Sequence, residues 1–488
     1  MTTTILLDSS SPPKLGCFID NEYCQGHGQG WTLYNPKDAG QIQELVGASK
    51  DDVDAAVTAA NRAFKTGEWA TSSGAQRAKR LNRLADLIDE NAQALAYFES
   101  LASGRPYSMV LQGDIPRVAD VFRYYAGWAD KIRGDSYAPD DGFYKIVEQK
   151  PLGVCAAVTA WNGSLHFLAW KTAPALALGN TVVVKPSEKS PLGTLAFGSL
   201  IQSAGFPPGV FNIVVGDGNV GHALANHMDI HMISFTGSLA TGKKIQVAAT
   251  ESNLKRVTLE LGGKSPAIVF EDADLENAIL WSVRGITANS GQICAATSRL
   301  FLHKNIADVF ISRLEVAFQA IAAALGADPQ EPTTTYGPLV DKLQYEKVLG
   351  YISEGRKRAD MVIGDSQKSG KGYYVAPTIF KNVAHNSKIY REEIFGPVLC
   401  VETFESEEDV VKMANDTEYG LAGAIYTRDI SRAIRIWRQL DAGTVCINCA
   451  AMIGPQVPTG GFKSSGLGRA LGEYAMRHYA EPRTVWIK

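Results

Sequence analysis

From residue 151 onward the chain keeps one rhythm: a short run of apolar, often β-branched residues, a turn rich in Gly, Pro or Asn, then a helix-like stretch. Pro151 opens a strand through Val158, Lys171–Leu178 reads as a helix ending at Gly179-Asn180, and Thr181-Val-Val-Val-Lys185 is a strand broken by Pro186. Pro191–Ala204 is a further helix, and strands follow at Val210–Val215 and His231–Phe235. Strands that are apolar at every central position, not at alternate ones, are covered on both faces. Alternation with helices then points to a parallel sheet, because parallel neighbours are joined by crossover helices. A second such series starts after Gly262-Gly263, with a strand at Ala267–Phe270, a helix over Leu275–Ala288 and another from Ile306 to about Ala324. The predicted fold class is α/β, with a hinge between two units near 260–263. Upstream, Leu81, Leu84 and Ile88 share one face of a helix predicted over 76–103, which stops at Gly104-Arg105-Pro106.

A chain of 488 residues is too long for one core, so two or three domains are expected. With 45% hydrophobic and 20% charged residues the composition is that of a globular protein. A net charge of −3 offers no basic surplus for nucleic acid. No uncharged apolar run approaches the ~20 residues that span a bilayer, so no membrane partner is expected. Met1–Asp8 has neither the charged start and long apolar stretch of a signal peptide nor an Arg-rich character, and a cytoplasmic location is the expectation. The seven cysteines, at 17, 24, 155, 294, 400, 446 and 449, form no disulfide framework and suit a reducing compartment. Cys446-Ile447-Asn448-Cys449 matches C-x-x-C but lies in a strand-like run with no second pair or nearby histidine. His222, His227 and His231 likewise lack a partner set, so no metal is implied.

Two glycine patterns imitate nucleotide motifs. Gly216-Asp217-Gly218-Asn219-Val220-Gly221 is a literal G-x-G-x-x-G after a strand, but the next strand ends in Thr236-Gly237-Ser238 where a dinucleotide fingerprint wants a carboxylate. Gly237 to Lys244 imitates a P-loop, with Lys244 where a magnesium-binding hydroxyl belongs. Neither fits its usual meaning. Gly237 and Ser238 nevertheless open a helix, and helix N-terminal N–H groups can hold a pyrophosphate.

Gly291-Gln292-Ile293-Cys294 sets a thiol in a polar turn, downstream of Glu260-Leu261-Gly262-Gly263-Lys264-Ser265-Pro266. Taken alone, a free cysteine is more often a small buried apolar residue than a nucleophile. A thiol and a carboxylate are nonetheless the pair that covalent catalysis needs, one to attack and one to move protons.

Those two segments, together with Trp161-Asn162, Lys185-Pro186-Ser187-Glu188, Phe235-Thr-Gly-Ser238, Glu393-Ile-Phe-Gly-Pro397 and Gly460–Arg469, occur in an order that resembles the aldehyde dehydrogenase superfamily, in its hydrolytic NAD(P)-dependent branch, over essentially the whole chain. The resemblance implies a Rossmann-like cofactor domain (1–131 and 151–260) and an α/β catalytic domain (261–442). It also implies a small β-extension for oligomerisation (132–150 and 470–488) and a return segment to the cofactor domain (443–469). By the same resemblance Cys294 is the nucleophile, attacking the aldehyde to give a thiohemiacetal; hydride leaves to the nicotinamide, and the remaining thioester is hydrolysed. Asn162 and the Cys294 N–H would hold the oxyanion, Glu260 would activate water, and Lys171 would take part in proton transfer. Trp161, Lys185, Ser187, Glu188, Gly237, Ser238, Leu261, Glu393 and Phe395 would hold the cofactor. A carboxylate at Glu188 accepts bonds from ribose hydroxyls and repels a 2′-phosphate, which favours NAD over NADP.

Three departures narrow the reading. Ala160 before and Gly163-Ser164 after replace the proline-aromatic surroundings the family gives Trp161-Asn162. The stretches Ile293–Leu300 and Phe395–Cys400 resemble plant aminoaldehyde (betaine aldehyde) dehydrogenases. The aromatic cage those enzymes close around a cation is reduced here to Trp170, with Gly163, Ala288 and Thr459 at the other positions. A pocket of Phe167, Trp170, Ile293, Ala295 and Thr459 would then admit a bulky aliphatic or aromatic aldehyde and not a quaternary ammonium. Finally, Ala470 stands where the family commonly has a proton-relaying Glu, so activity at higher pH than usual is expected. The alternatives are a CoA-acylating aldehyde dehydrogenase, against which Glu260 speaks, and a non-enzymatic scaffold on the same fold. By the same resemblance, Ser136–Val147 and Arg483–Lys488 look like intersubunit strands, which implies a homodimer or homotetramer.

Overall fold

The protein is described by a computed structural model that covers residues 6–8, 12–364 and 371–488; residues 1–5 of the N-terminal segment read above lie outside the described residues. Its described residues form two mixed, mainly parallel sheets, one three-stranded antiparallel sheet and two two-stranded antiparallel sheets. In the first, the strands Phe211–Ile213, Thr181–Lys185, Val154–Val158, Met232–Thr236 and Arg256–Glu260 lie side by side and parallel, in that spatial order. The chain moves outward from Val154–Val158 to Phe211–Ile213, then returns to lay Met232–Thr236 on the other flank of Val154–Val158. That reversal is a topological switch point, and open α/β sheets bind ligands beyond the strand C-termini at such a crevice. The central strands are buried at every position, as VCAAV, TVVVK and MISFT require.

The second sheet runs Asp360–Ile363, Thr378–Lys381, Val398–Phe404, Arg299–His303, Pro266–Val269, Ala422–Tyr426, Thr444–Ile447, parallel except at its first pair. Thr444–Ile447 therefore extends this sheet, and the 443–469 segment reaches the first sheet only at Gly466–Leu467, which pairs antiparallel with Leu259 and Glu260. The third sheet joins Asp135–Tyr137, Tyr144–Pro151 and Ala480–Ile487. No helix among the described residues is long and apolar enough to cross a membrane.

Three expected elements differ in detail. The 76–103 helix is two helices, Gly74–Glu90 and Ala92–Ser103, parted at Asn91. The buried Asn91 amide accepts from the Leu7 N–H and donates to the Leu87 carbonyl, and such local bonding competes with helix propagation. Pro151 ends a strand of the third sheet instead of opening Val154–Val158; Gly153, at φ +125°, turns the chain between the two. The helix expected from Lys171 starts at Ser164 and runs to Ala177. Every residue in it but His166 is buried, so no polar face marks its start.

Candidate active site

Glu260 ends the last parallel strand of the first sheet, and six residues later Pro266 opens the second. The glycines between them are used for close approach. A Cβ on Gly262 would stand 2.2 Å from a carboxylate oxygen of Glu393, and one on Gly263 would stand 2.6 Å from the Cys294 carbonyl oxygen. Gly263 also donates its N–H to Glu393 Oε1 at 3.2 Å. The Glu260–Pro266 linker thus packs directly against the loop bearing the thiol.

That loop is an unusual backbone. Asn289, Ser290 and Gly291 take consecutive left-handed conformations, with φ of 49°, 54° and 75°. Two of the three carry a Cβ, so the conformation is strained and must be held by its surroundings. Ser290 Oγ donates to the Gly337 carbonyl at 2.6 Å. Gln292, fully buried, donates from Nε2 to the Asn289 carbonyl at 3.0 Å and accepts the Val340 N–H at 2.9 Å. In the sequence Gln292 is only a member of the Gly291–Cys294 motif; a buried amide beside a partly exposed thiol has no periodic signature that marks a bracing role. Cys294 and its neighbours Ile293 and Ala295 are partly exposed at the end of this brace. Burial, then the Glu393 and Glu260 carboxylates, push the thiol up to about 12, so it rests protonated.

Asn162 comes from the other sheet, in the turn Trp161–Gly163 beyond Val154–Val158. Its Nδ2 donates to the Gln292 carbonyl at 3.0 Å, which leaves the second amide proton to point elsewhere. Asn289 Nδ2 donates to the Gln292 carbonyl as well, at 3.2 Å. Trp161 meets the ring of Phe395 edge-on, centroids 5.2 Å apart; Phe395 has φ +59° and lies two residues from Glu393.

Burial also pushes the Glu260 carboxyl well above the usual carboxylate range, against the pull of Lys171 and Arg469. Lys171, equally buried, is pushed down by burial, with Glu260 opposing. Its Nζ donates to Ser234 Oγ at 3.1 Å, and Thr258 Oγ1 donates to the same oxygen at 2.8 Å. Thr459, partly exposed, exchanges two 2.8 Å backbone bonds with Ala470. The next residue, Gly460, is bare where Glu260 Oε1 lies 2.9 Å from the place of a Cβ. Phe167 and Trp170 are buried five and eight residues on from Asn162, their rings edge-to-face at 5.3 Å.

A cleft of about 620 Å³ opens at the switch point. Trp161, Lys185, Ser187, Glu188, Gly237 and Ser238 all line it. Lys185 Nζ lies 3.6 Å from Glu188 Oε2. Ser238 caps the helix Leu239–Glu251 by accepting the Thr241 N–H. Gly218 and Gly221 of the G-x-G-x-x-G pattern line the cleft too, so that decoy sits at the place its usual meaning requires, without the usual carboxylate. Lys189 and Lys244 add donors and positive charge to its walls, and His222 lines them too. Two helix starts, bare glycines and cations fit a dinucleotide and its pyrophosphate. Leu261 is buried behind this wall, its side chain against Gly242.

A family model described as the aldehyde dehydrogenase family matches residues 23–485. Human aldehyde dehydrogenase 1A1 is 45% identical over 475 residues, covering 96% of this chain and 94% of that protein. Human retinal dehydrogenase 2 is 44% identical, with 96% and 91% covered. Among solved structures, an aldehyde dehydrogenase of Bacillus cereus in complex with NAD+ is 40% identical with a TM-score of 0.95, over the full length of both chains. The indole-3-acetaldehyde dehydrogenase of P. syringae, solved with NAD+ and IAA, is 39% identical at a TM-score of 0.93, covering 98% and 97%. With agreement of this depth over the whole α/β fold, the chain belongs to the aldehyde dehydrogenase family, oxidoreductases that act on the aldehyde group.

Proposed function

We propose that the protein oxidises a bulky aliphatic or aromatic aldehyde to its carboxylic acid with NAD, through a thioester on Cys294. The observation that carries this reading is the 3.0 Å bond from Asn162 Nδ2 to the Gln292 carbonyl, which ties an amide donor of the cofactor-side sheet to the nucleophile's loop. Cys294 gives up its proton to water as Sγ attacks the carbonyl carbon, and the oxygen that gains charge is met by the second Asn162 N–H and the Cys294 N–H. A preorganised donor of this kind typically supplies about 3–4 kcal/mol. When bound, NAD supplies the hydride acceptor for the tetrahedral carbon. Glu260, raised by burial and steadied by Lys171, then takes a proton from the water that attacks the thioester; the C–S bond breaks and the thiol is restored.

Trp161, Lys185, Ser187, Glu188, Gly237, Ser238, Leu261, Glu393 and Phe395 would hold NAD, and the Glu188 carboxylate disfavours the 2′-phosphate of NADP. Phe167, Trp170, Ile293, Ala295 and Thr459 would face the aldehyde. Gly163 supports a wide entrance: the nearest atom to a Cβ there is 3.6 Å away, on Phe167. The third sheet supports a homodimer or homotetramer, because Trp486 is 60% exposed beside exposed Val485, Ile487, Tyr137 and Tyr144. A cytoplasmic location remains part of this reading. CoA-dependent acyl transfer is the weaker alternative, since Glu260 would divert the thioester to water.

NAD reduction across aliphatic, aromatic and cationic aldehydes tests the proposal, with Cys294→Ala as control and product analysis with and without CoA. Activity in Cys294→Ala, or an acyl-CoA product, would overturn the chemistry. A higher kcat/KM for betaine aldehyde than for benzaldehyde would overturn the substrate class.

A further inference from the structure

The helix Ser164–Ala177 begins immediately after Asn162-Gly163, and Gly163 has no side chain with which to cap it. The helix start is served instead from the helix Ala92–Ser103. Glu99, 2% exposed, places its Oε2 3.0 Å from Ser164 Oγ. Its Oε1 packs over Gly193, where a Cβ would stand 2.3 Å away. Ser164 Oγ lies 2.9 Å from Ser190 Oγ, and Ser190 Oγ is 3.2 Å from the Trp161 carbonyl. Both serines are fully buried. Ser190 closes the Lys185–Lys189 segment that lines the cofactor cleft, whereas Trp161 opens the turn that carries Asn162. A carboxyl and two hydroxyls thus link the two segments in series.

We infer that Glu99 is a positioning residue: acting through Ser164 and Ser190, it holds the Trp161 carbonyl, and with it the Asn162 amide, in register with the cofactor segment. The inference rests on the proposed role of Asn162. Proton counting shows which form of Glu99 does this. Each serine has one proton to donate. If Glu99 is ionised, Ser164 must donate to it, and the Ser190 proton can serve either Ser164 or the Trp161 carbonyl but not both, so the series is broken at one link. If Glu99 is the neutral acid, it donates to Ser164, Ser164 to Ser190, and Ser190 to Trp161, so every link is made. Burial pushes the Glu99 carboxyl up to about 7, aided by Asp114 and opposed by Arg105, Ser164 and the Leu165 N–H. Asp114 meanwhile takes the charged partners: it pairs with Arg105 and lies 3.1 Å from His166 Nε2. Burial would raise Asp114, but Arg105 and His166 outweigh it and hold it at about 2.

The test uses Glu99→Gln, Glu99→Leu and Ser190→Ala in the full-length enzyme, with thermal melting to verify folding and aldehyde oxidation as the readout. Glutamine donates to Ser164 as the neutral acid does, so Glu99→Gln should keep kcat within about threefold, while Glu99→Leu and Ser190→Ala lose roughly tenfold, as misplacement of a catalytic group does. Because the effect is exerted through Asn162, Ser190→Ala should cost less than about twofold when added to Asn162→Ala. Should Glu99→Leu fail to fold, Ser190→Ala and its cycle with Asn162→Ala decide alone. Glu99→Gln falling as far as Glu99→Leu, or Ser190→Ala multiplying its full loss onto that of Asn162→Ala, would overturn the inference. Wild-type kcat in Asn162→Ala would instead overturn the oxyanion reading on which it stands.

Discussion

The carbonyl oxygen of Cys294 lies 2.6 Å from where a Cβ on Gly263 would stand, so the backbone of the Cys294 loop rests directly on the linker between the two sheets. A flexible side chain could swing away from an added methyl, but a carbonyl held by the braced turn 289–292 cannot. Gly263→Ala should therefore displace Cys294 by some tenths of an ångström and lower kcat by on the order of 10²-fold, since misplacement of reacting groups is that costly. The check is kcat alongside the rate of Cys294 alkylation by iodoacetamide. A variant with wild-type kcat would show that the loop has room to move.

Asn162 gives a second prediction. Its amide donates one proton to Gln292, so Asn162→Ala removes both the loop tie and the proposed oxyanion donor. A fall in kcat of about 10²–10³-fold is expected, the size typical of one oxyanion-hole donor, with little change in NAD binding measured by fluorescence titration. A change in NAD affinity without a change in kcat would place Asn162 on the cofactor side only.

Glu260 and Lys171 predict the pH dependence of turnover. Burial raises the Glu260 carboxyl, and the Lys171 cation opposes the rise. If deacylation needs ionised Glu260, kcat climbs with pH through a limb centred well above the ~4.3 of an ordinary glutamate. Lys171→Met removes the opposing cation, so Glu260 should rise further and the limb should move to higher pH. A limb unmoved in Lys171→Met, or moved to lower pH, would separate Lys171 from the base.

Much of this site was legible because its chemistry sits in short contiguous motifs. Cys294 stands in a turn and Glu260 at a strand end, each within three residues of a glycine, and Lys185 ends a buried strand, so local composition marks them. What stayed hidden depends on contacts distant in sequence. Asn91 breaks a periodic helix through a bond with Leu7, and Gln292 braces the strained turn through Val340. Glu99 looks like any polar position of an amphipathic helix until Ser164, 65 residues away, is packed against it. The helix from Ser164 was missed at its start for a related reason: burial on all sides erases the 3.6-residue pattern that reveals a surface helix.

The proposed preference for NAD rests on Glu188, 40% exposed at the cleft and 3.6 Å from Lys185 Nζ. Its carboxylate would repel the 2′-phosphate of NADP, whereas Lys185, Lys189 and Lys244 on the same walls would attract it. Removing the one negative charge while keeping its shape should therefore relax the preference. Glu188→Gln is expected to raise the NADP-to-NAD ratio of kcat/KM by roughly tenfold, the equivalent of about 1.4 kcal/mol. An unchanged ratio would mean that the ribose end of the cofactor lies away from Glu188.

The pH dependence of stability isolates Glu99 from the rest of the protein. Its carboxyl is at about 7 in the folded state against an ordinary 4.5. A raised carboxyl favours folding while it stays protonated: the contribution is complete below the unfolded value, fades as pH rises from about 4.5 towards 7, and is gone above that. Many other groups titrate in this window, so the informative quantity is a difference between two proteins. Glu99→Gln carries the same shape and a donor but cannot ionise. Unfolding by urea at pH 5 and pH 8 should show wild type losing more stability than Glu99→Gln across that interval, by on the order of 1–3 kcal/mol. Equal losses would mean that the folded state does not favour the protonated carboxyl. One link of the series from Glu99 to the Trp161 carbonyl would then be missing at working pH, and the serine series could not hold Asn162 as drawn.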